Sequence, residues 1–169
     1  MFTLASTRFS STTWEENIEY RKTNNLNGCV YCSPQPLTQK ILPDSLVFII
    51  EMNNTLNRIE GIGLVKNTIR LDKYFKVYQA GNFNRYVFRG KYRINREELL
   101  RYNSKLVDIL DQILFKGKTH LKRGGGITTV TDKLLKNDKC EGLDIKTIIK
   151  DVFKLAFETI ETTEPSENK

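Results

Sequence analysis

Cys29 and Cys32 have the CxxC spacing that is found in zinc knuckles and in redox pairs. A zinc site needs two further ligands, and the chain offers only His120 and Cys140, which are distant in sequence and unpaired. Thioredoxin-type chemistry places such a pair at the start of a helix, whereas prolines follow this one. The pattern therefore favours cysteines with a structural role, and a zinc site is the alternative.

Catalytic chemistry has little support, because the chain contains one histidine. A Ser-His-Asp or Cys-His arrangement would have to use His120, and no nucleophile elbow is present. The acid pairs at 15–16 and 97–98 occupy predicted first helical turns, where the helix dipole accounts for them. The sequence therefore predicts no catalytic residues and no cofactor. A metal-dependent hydrolase or nuclease that uses His120 or Glu51 is the alternative.

The positive charge is concentrated in one part of the chain. Residues 85–123 contain 11 Lys or Arg and 4 Asp or Glu, a local excess of 7 that equals the net charge of +7 of the whole chain. The charges of the remaining residues therefore cancel. Such a concentration is typical of a surface that binds polyanions.

Residues 85–94 (RYVFRGKYRI) alternate like one strand with a cationic and an apolar face. The cationic side chains are Arg85, Arg89, Lys91 and Arg93. The apolar side chains are Tyr86, Phe88, Tyr92 and Ile94, with Val87 as the exception. Cations neutralise phosphates and aromatic rings stack on unpaired bases, so this strand predicts a nucleic-acid surface. The alternative is that the tyrosines of this region, Tyr74, Tyr78, Tyr86 and Tyr92, belong to the core.

A second basic segment, residues 116–123 (KGKTHLKR), precedes three glycines at 124–126. Successive glycines can turn several N–H groups toward one anion, and cations lie beside them here. The segment therefore predicts phosphate contacts, whereas the alternative is a flexible loop between a helix and a strand. Its members assigned to the interface are Lys118, His120, Lys122 and Arg123.

The elements that must position these residues are organised around a hairpin over residues 46–65. Residues 46–50 form an unbroken apolar run, which predicts a strand buried on both faces. Residues 53–58 have turn chemistry, and Gly61 and Gly63 in the returning strand indicate a bulge or a close backbone approach. The other predicted elements are a strand at 2–5, a helix from 11 to about 22, a loop at 24–36, strands at 68–71 and 74–78, a turn at 81–84, a helix from 96 to about 115 capped by Asn95, a strand-like run at 127–130 and a helix at about 144–160.

Composition limits the class of protein. Hydrophobic content of 39% and charged content of 28% fit one globular domain, assigned to residues 1–160, with a mobile polar tail at 161–169. No apolar run approaches the roughly 18 residues of a membrane span, and the first residues do not have the pattern of a secretory signal. The odd number of cysteines, 3, indicates a reducing compartment. These features predict an intracellular protein without a membrane partner.

Residues 41–65 (ILPDSLVFIIEMNNTLNRIEGIGLV) and 85–98 resemble the PUA-like superfamily, especially its EVE and YTH branches. The similar segments cover about a quarter of the chain, and the GxKxxExR motif of the ASCH branch does not occur. The resemblance implies an α+β fold, with a small β-barrel or a strongly curved mixed sheet flanked by helices and extended by C-terminal helices. The Asn- and Lys-rich composition fits an AT-rich genome, such as that of a large DNA virus.

Many PUA-like domains bind RNA or modified bases in an aromatic-lined pocket. The resemblance therefore implies that Trp14 belongs to such a pocket and that Asn53, Asn54 and Asn57 border it.

Together these features predict a non-catalytic nucleic-acid-binding protein that favours RNA, either single-stranded or carrying a modified base. Trp14 or Tyr86 would stack on a base. The phosphates would contact Arg85, Arg89, Lys91, Arg93, Lys118, Lys122 and Arg123. The alternative is a protein-interaction or structural subunit whose basic face docks an acidic partner in a larger assembly.

Overall fold

The computed structural model describes residues 2–69 and 75–161, with the backbone alone at 159–161. The chain forms an α+β fold, as predicted. Its strands are β1 (Phe2–Phe9), β2 (Cys29–Ser33), β3 (Leu46–Asn53), β4 (Arg58–Lys66), β5 (Tyr86–Gly90), β6 (Tyr92–Asn95) and β7 (Ile127–Thr129). Its helices are α1 (Ser11–Thr23), α2 (Arg96–Phe115), α3 (Asp132–Leu135) and α4 (Ile145–Glu161), with 3₁₀ turns at Gly81–Asn84 and Asp138–Cys140.

The strands form two sheets. A five-stranded mixed sheet has the order β6-β4-β3-β1-β7, in which β1 and β3 are parallel and the other pairs are antiparallel. β2 and β5 form a separate antiparallel pair. The predicted mixed sheet is therefore present, and the strands described in the structure do not close into a barrel.

The central hairpin is confirmed as the pair β3–β4. Phe48, Ile50 and Met52 of β3 pack with α2 and α4 in one hydrophobic cluster, whereas Val47 and Ile49 belong to a second cluster with β2 and β5. Successive side chains of a strand point to opposite faces, so both faces of β3 are buried, as its apolar run predicts. The register of β3 and β4 shifts between Glu51 and Met52, which agrees with the predicted irregularity near Gly61.

The predicted loop at 24–36 is wrong, because it contains β2. All five residues of β2 are buried, and the strand pairs with β5 from Cys29 opposite Gly90 to Ser33 opposite Tyr86. The run CVYCS has a strand-like composition, and the glycine and prolines on either side of it mask that signal.

The predicted single strand at 85–94 is also wrong. β5 pairs with β2, whereas β6 pairs with β4 in the larger sheet. A Cβ atom at Gly90 would collide with the carbonyl oxygen of Leu64, so glycine is needed where the chain passes between the two sheets. The alternation of the sequence therefore does not describe one surface.

The bounds of α1, α2 and α4 are close to the predicted bounds. Asn95 caps α2 by accepting a hydrogen bond from the backbone N–H of Glu98 at 2.9 Å, and Gly117 follows the helix with a φ of 82°. Asn103 interrupts α2 with non-helical angles, and its side chain caps the second half by accepting from Leu106 N at 3.0 Å. Asp144 precedes α4 and accepts from Thr147 N. The short helix α3 and the second 3₁₀ turn have no counterpart in the sequence prediction.

Some predictions fall partly outside the described residues. The predicted strands at 68–71 and 74–78 are wrong for the residues that the structure describes, because Thr68, Ile69 and residues 75–78 lie in no strand. Residues 70–74 are not described. The predicted tail, apart from Glu161 at the end of α4, also lies outside the described residues. Within the described chain, no helix is both long enough and apolar enough to cross a membrane.

Candidate nucleic-acid interface

A pocket of about 480 Å³ lies where β1 ends and α1 begins. Its aromatic walls are Phe9, Tyr78 and Phe83, and we call it the aromatic pocket. The remaining lining is mainly small or polar: Thr7, Arg8, Ser10, Thr13, Cys32, Pro34, Asn54, Thr55 and the glycines 124–126. Phe83 is 43% exposed, whereas Phe9 and Tyr78 are buried, so the pocket has one accessible ring and two covered rings.

The side chain of Asn84 holds the segment that carries Tyr78 and Phe83. Its Oδ1 accepts hydrogen bonds from the backbone N–H groups of Val77 and Tyr78, and its Nδ2 donates to the carbonyl of Tyr78 at 2.7 Å. The hydroxyl of Tyr78 accepts from Nδ2 of the buried Asn17 at 3.0 Å, and Tyr78 and Phe83 meet edge to face. The ring positions are therefore fixed by buried hydrogen bonds and not by apolar packing alone.

Arg8 fixes the glycine segment on the opposite side of the pocket. Its guanidinium donates to the carbonyls of Leu121, Gly124 and Gly126 and to the hydroxyl of Thr128, at 2.8 to 3.1 Å. Carbonyl oxygens of the segment thus face a cation of the same chain. Anion binding by the N–H groups of the three glycines stays a prediction.

The asparagines of the hairpin turn have different roles. Asn53 is buried, and its Oδ1 accepts from the backbone N–H groups of Thr55 and Leu56. Asn57 adopts a φ of 54°, which Asn tolerates better than most residues. Both side chains thus serve the turn geometry. Asn54 alone lines the aromatic pocket; its Nδ2 donates to the carbonyl of Lys122, and its Oδ1 is buried with no donor among the described residues.

Trp14 does not line the aromatic pocket. Its ring contacts Phe9 at 5.1 Å between centroids, and the guanidinium carbons of Arg21 and Arg93 lie 5.5 Å and 5.7 Å from the ring centroid. It faces a second pocket of about 480 Å³ that Ile18, Arg21, Arg58 and Leu100 also line. The predicted platform is thus next to the aromatic pocket, on the other side of Phe9.

Arg93 corrects the predicted cationic face. Both oxygens of Glu51, which is 1% exposed, accept hydrogen bonds from its guanidinium, and Tyr31 donates to the same carboxylate at 2.6 Å. Burial lowers the pKa of Arg93, but the charge and hydrogen bonds of Glu51 outweigh burial and raise it above its ordinary value. Since its charge is compensated inside the protein, Arg93 is an internal anchor and a weak candidate for phosphate.

The other cations predicted for the strand remain at the surface. Arg85 is exposed beside Tyr86, and Arg89 is half-buried with its guanidinium carbon 5.4 Å from the ring centroid of Phe75. Lys91 is exposed in the turn between β5 and β6. Within the described part of the chain, none of the three forms an ion pair with a carboxylate.

The end of the second basic segment lies next to the aromatic pocket, because Asn54 donates to the carbonyl of Lys122 and Arg8 donates to that of Leu121. Lys118 and Arg123 are exposed and Lys122 is half-buried. The backbone N–H of Lys122 donates to Nδ1 of His120 at 3.2 Å, so this histidine helps to shape the loop.

Cys29 and Cys32 are buried free thiols in β2. Burial raises the pKa of each to about 12, so both are protonated at neutral pH. Among the residues described, no group of three or more His, Cys, Asp or Glu side chains is placed to hold a metal ion.

Several residues of the aromatic pocket are not identified by the sequence patterns. Phe83 falls in a predicted turn, and Phe9, Arg8 and Asn84 carry no local signal of a binding role. A phenylalanine inside the polar turn Gly81–Asn84 is the one available hint, since binding residues occur disproportionately often in surface connections.

Comparison of the chain with family models, with curated proteins and with solved structures found no match.

Proposed function

We propose that the protein is a non-catalytic RNA-binding protein that receives an unpaired base in the aromatic pocket. The observation that supports this most strongly is the pocket with its exposed Phe83 ring, bordered by the basic loop that Asn54 and Arg8 hold in place. Backbone phosphates would contact Lys118, Lys122 and Arg123 on one side and Arg85, Arg89 and Lys91 on the other.

The dimensions of the pocket suit one base. Small-molecule sites occupy about 300–1,000 Å³, and a pocket of about 480 Å³ lies in the lower part of that range. Bases stack on accessible aromatic rings, and each such contact contributes about 1–3 kcal/mol. A base can enter only when it is unpaired, so single-stranded RNA should bind better than a duplex.

Polar groups around the pocket can select among bases. The hydroxyls of Ser10 and Thr13 lie at the capped N-terminus of α1 and line the pocket, as does Asn54. The Oδ1 of Asn54 is buried without a donor among the described residues, and a ring N–H or exocyclic amino group would satisfy it once the side chain turns this oxygen toward the pocket. The same side chain is thus the strongest candidate for reading a modified base.

We further propose that the chain is a divergent PUA-like domain. The support is the resemblance of residues 41–65, which fold as the β3–β4 hairpin, and the packing of the β2–β5 pair with one face of that hairpin. An aromatic pocket beside the hairpin turn is consistent with this relationship.

Fluorescence anisotropy with single-stranded RNA, duplex RNA and single-stranded DNA at two salt concentrations tests the function. Replacement of Phe83 by Ala should weaken binding of single-stranded RNA by about 5- to 150-fold, because the base no longer has a ring to stack on. The matched control is Tyr102→Ala, which removes a ring of similar exposure, 42% against 43%, from the surface of α2. Absence of binding at low salt, or equal weakening by both variants, would reject the proposed base site.

A protein-interaction role is the second candidate, and the pocket that contains Trp14 favours it. Trp14, Ile18, Leu100 and Arg21 combine apolar surface with an arginine that has no carboxylate partner among the described residues. Trp and Arg are enriched at the energetic centres of protein interfaces. A partner that co-purifies after nuclease treatment, and is lost in Arg21→Glu while RNA binding is retained, would support this role.

A further inference from the structure

A third pocket, of about 520 Å³, lies at the far end of the β2–β5 pair from the aromatic pocket. One wall is the connection from α1 to β2, with Asn25 and Asn27, and the other is the turn from β5 to β6, with Arg89 and Lys91. The ring of Phe157 from α4 closes one side. We call it the turn pocket.

The backbone of the turn pocket is held tightly. A Cβ atom at Gly28 would collide with the carbonyl oxygen of Gly90, and one at Gly90 would collide with the carbonyl oxygen of Leu64. Three chain segments therefore meet here at backbone contact, which only glycine permits. Arg89 and Lys91 flank Gly90, so a rigid turn carries both cations.

The charge of the turn pocket is one-sided. Arg89, Lys91 and Arg93 line it, and no described lining residue is an Asp or a Glu. Glu51 compensates the charge of Arg93. Arg89 and Lys91 are therefore the two cations of the pocket lining that have no ion-pair partner in the described chain. The amides of Asn25 and Asn27 add hydrogen-bonding groups at the opposite wall.

We propose that the turn pocket is a phosphate subsite, occupied by a backbone phosphate of the RNA strand whose base lies in the aromatic pocket. This inference rests on the proposed function for the source of the phosphate. β5 joins the two pockets: Phe83 just before it lines the aromatic pocket, and its last residues line the turn pocket. With about 3.3 Å per strand residue, the two ends of β5 are on the order of 15 Å apart, so the phosphate belongs to a nucleotide several positions from the stacked base.

A length series tests this arrangement. Single-stranded RNAs of randomised sequence, from a dinucleotide to about twelve nucleotides, a range typical of single-strand binding sites, are titrated by anisotropy. Affinity should rise in a step at the length that reaches the turn pocket. The double variant Arg89→Gln with Lys91→Gln should lose the step and reduce the slope of log K against log salt by about 0.7, the value for one phosphate contact on a single strand. Binding of the shortest RNAs should not change.

The matched control is Arg101→Gln with Lys133→Gln, which removes the same charge from exposed positions on α2 and α3. A second arm follows the amide NMR signals of Gly28 and Gly90 during titration with inorganic phosphate, against chloride at equal ionic strength. Saturable shifts that disappear in the Arg89/Lys91 double variant would support the subsite independently of RNA.

The outcomes separate the two proposals. If no RNA binds but phosphate shifts the two glycine signals, the proposed function fails and the subsite serves a free phosphate. If RNA binds, both double variants behave alike at every length and phosphate causes no shift, the subsite is overturned and the proposed function stands. If neither ligand binds, both are overturned.

Discussion

Glu51 shows how one buried side chain can remove a cation from the surface that a sequence pattern predicts. The alternation of residues 85–94 assigns Arg93 to a cationic face. In the structure Arg93 instead forms an ion pair with Glu51 of β3, and 11% of the Arg93 side chain is exposed. The sequence contains both residues, 42 positions apart, without indicating that β6 and β3 lie on either side of β4. Long-range pairing of this kind is not visible in local patterns.

Removing the charge of Glu51 should destabilise the fold strongly. Glu51→Gln leaves Arg93 charged and buried, and removal of one partner of a buried pair costs about 3–5 kcal/mol. Urea unfolding followed by Trp14 fluorescence measures the change in the free energy of unfolding.

The control for this measurement is Glu60→Gln, because Glu60 pairs with the exposed Arg58 and surface pairs contribute about 0–1 kcal/mol. If Glu51→Gln does not fold, Tyr31→Phe removes one hydrogen bond from the same carboxylate and should cost about 1–3 kcal/mol. Equal effects of Glu51→Gln and Glu60→Gln would contradict the anchoring role.

The buried thiols should make stability fall at alkaline pH. Burial raises the pKa of Cys32 from 9.0 to about 12, so between these values the unfolded chain releases a proton that the folded chain retains. The buried thiol contributes its full stabilisation of the fold below pH 9. This stabilisation is lost as pH rises toward 12, by up to about 1.4 kcal/mol per pH unit.

Urea unfolding at several pH values from 8 upward checks this sign. Cys32→Ala should reduce the slope of the decline relative to the unmodified protein, whatever its effect on stability at pH 8. An identical slope in both proteins would show that Cys32 titrates alike in the folded and unfolded states.

At the level of elements, the hydrophobic period and the capping residues are sufficient to predict the longer helices and strands. The β3–β4 hairpin, α1, α2 and α4 are predictable because each carries its own local signal. β2 and the division of β5 from β6 are not predictable from local sequence, because both depend on strand partners that are distant in sequence. The aromatic pocket escapes prediction for the same reason: Phe9, Tyr78 and Phe83 come together only through this pairing.

Gly90 should be essential to the passage of the chain between the two sheets. Gly90→Ala places a methyl group against the Leu64 carbonyl, which is backbone and cannot move aside cheaply, so unfolding free energy should fall by about 1–3 kcal/mol or more. Gly125→Ala is the matched control, since nothing lies within 4 Å of its added Cβ. Thermal unfolding of the two variants distinguishes them, and similar melting temperatures would contradict the close approach.

For the whole molecule, the sequence predicts where the positive charge lies along the chain but not where it lies in space. The basic segment 85–123 divides into a loop beside the aromatic pocket and a turn at the far end of β5, separated by α2. One basic stretch of chain thus supplies two separate surfaces, because α2 packs on the opposite face of the large sheet.

The loop cations should dominate the salt dependence of short RNA ligands. Replacement of Lys118 and Arg123 together by Gln should reduce the slope of log K against log salt by about 1.4, at about 0.7 for each phosphate that is no longer neutralised. Lys136→Gln with Lys139→Gln changes the net charge equally and should leave the slope unchanged. Anisotropy titrations at four salt concentrations measure both, and equal slopes in the two double variants would place the phosphates elsewhere.

The hydrogen bonds from Arg8 to Leu121, Gly124, Gly126 and Thr128 join residues 113 to 120 positions apart. Contacts with such separations form late, because loop-closure entropy must be overcome before they stabilise anything. The hairpin and α2, which are closer in sequence, can therefore collapse while the aromatic pocket is still open. In a refolding experiment, burial of the core should precede recovery of ligand binding, and a ribosome must deliver about three quarters of the chain before the binding surface can exist.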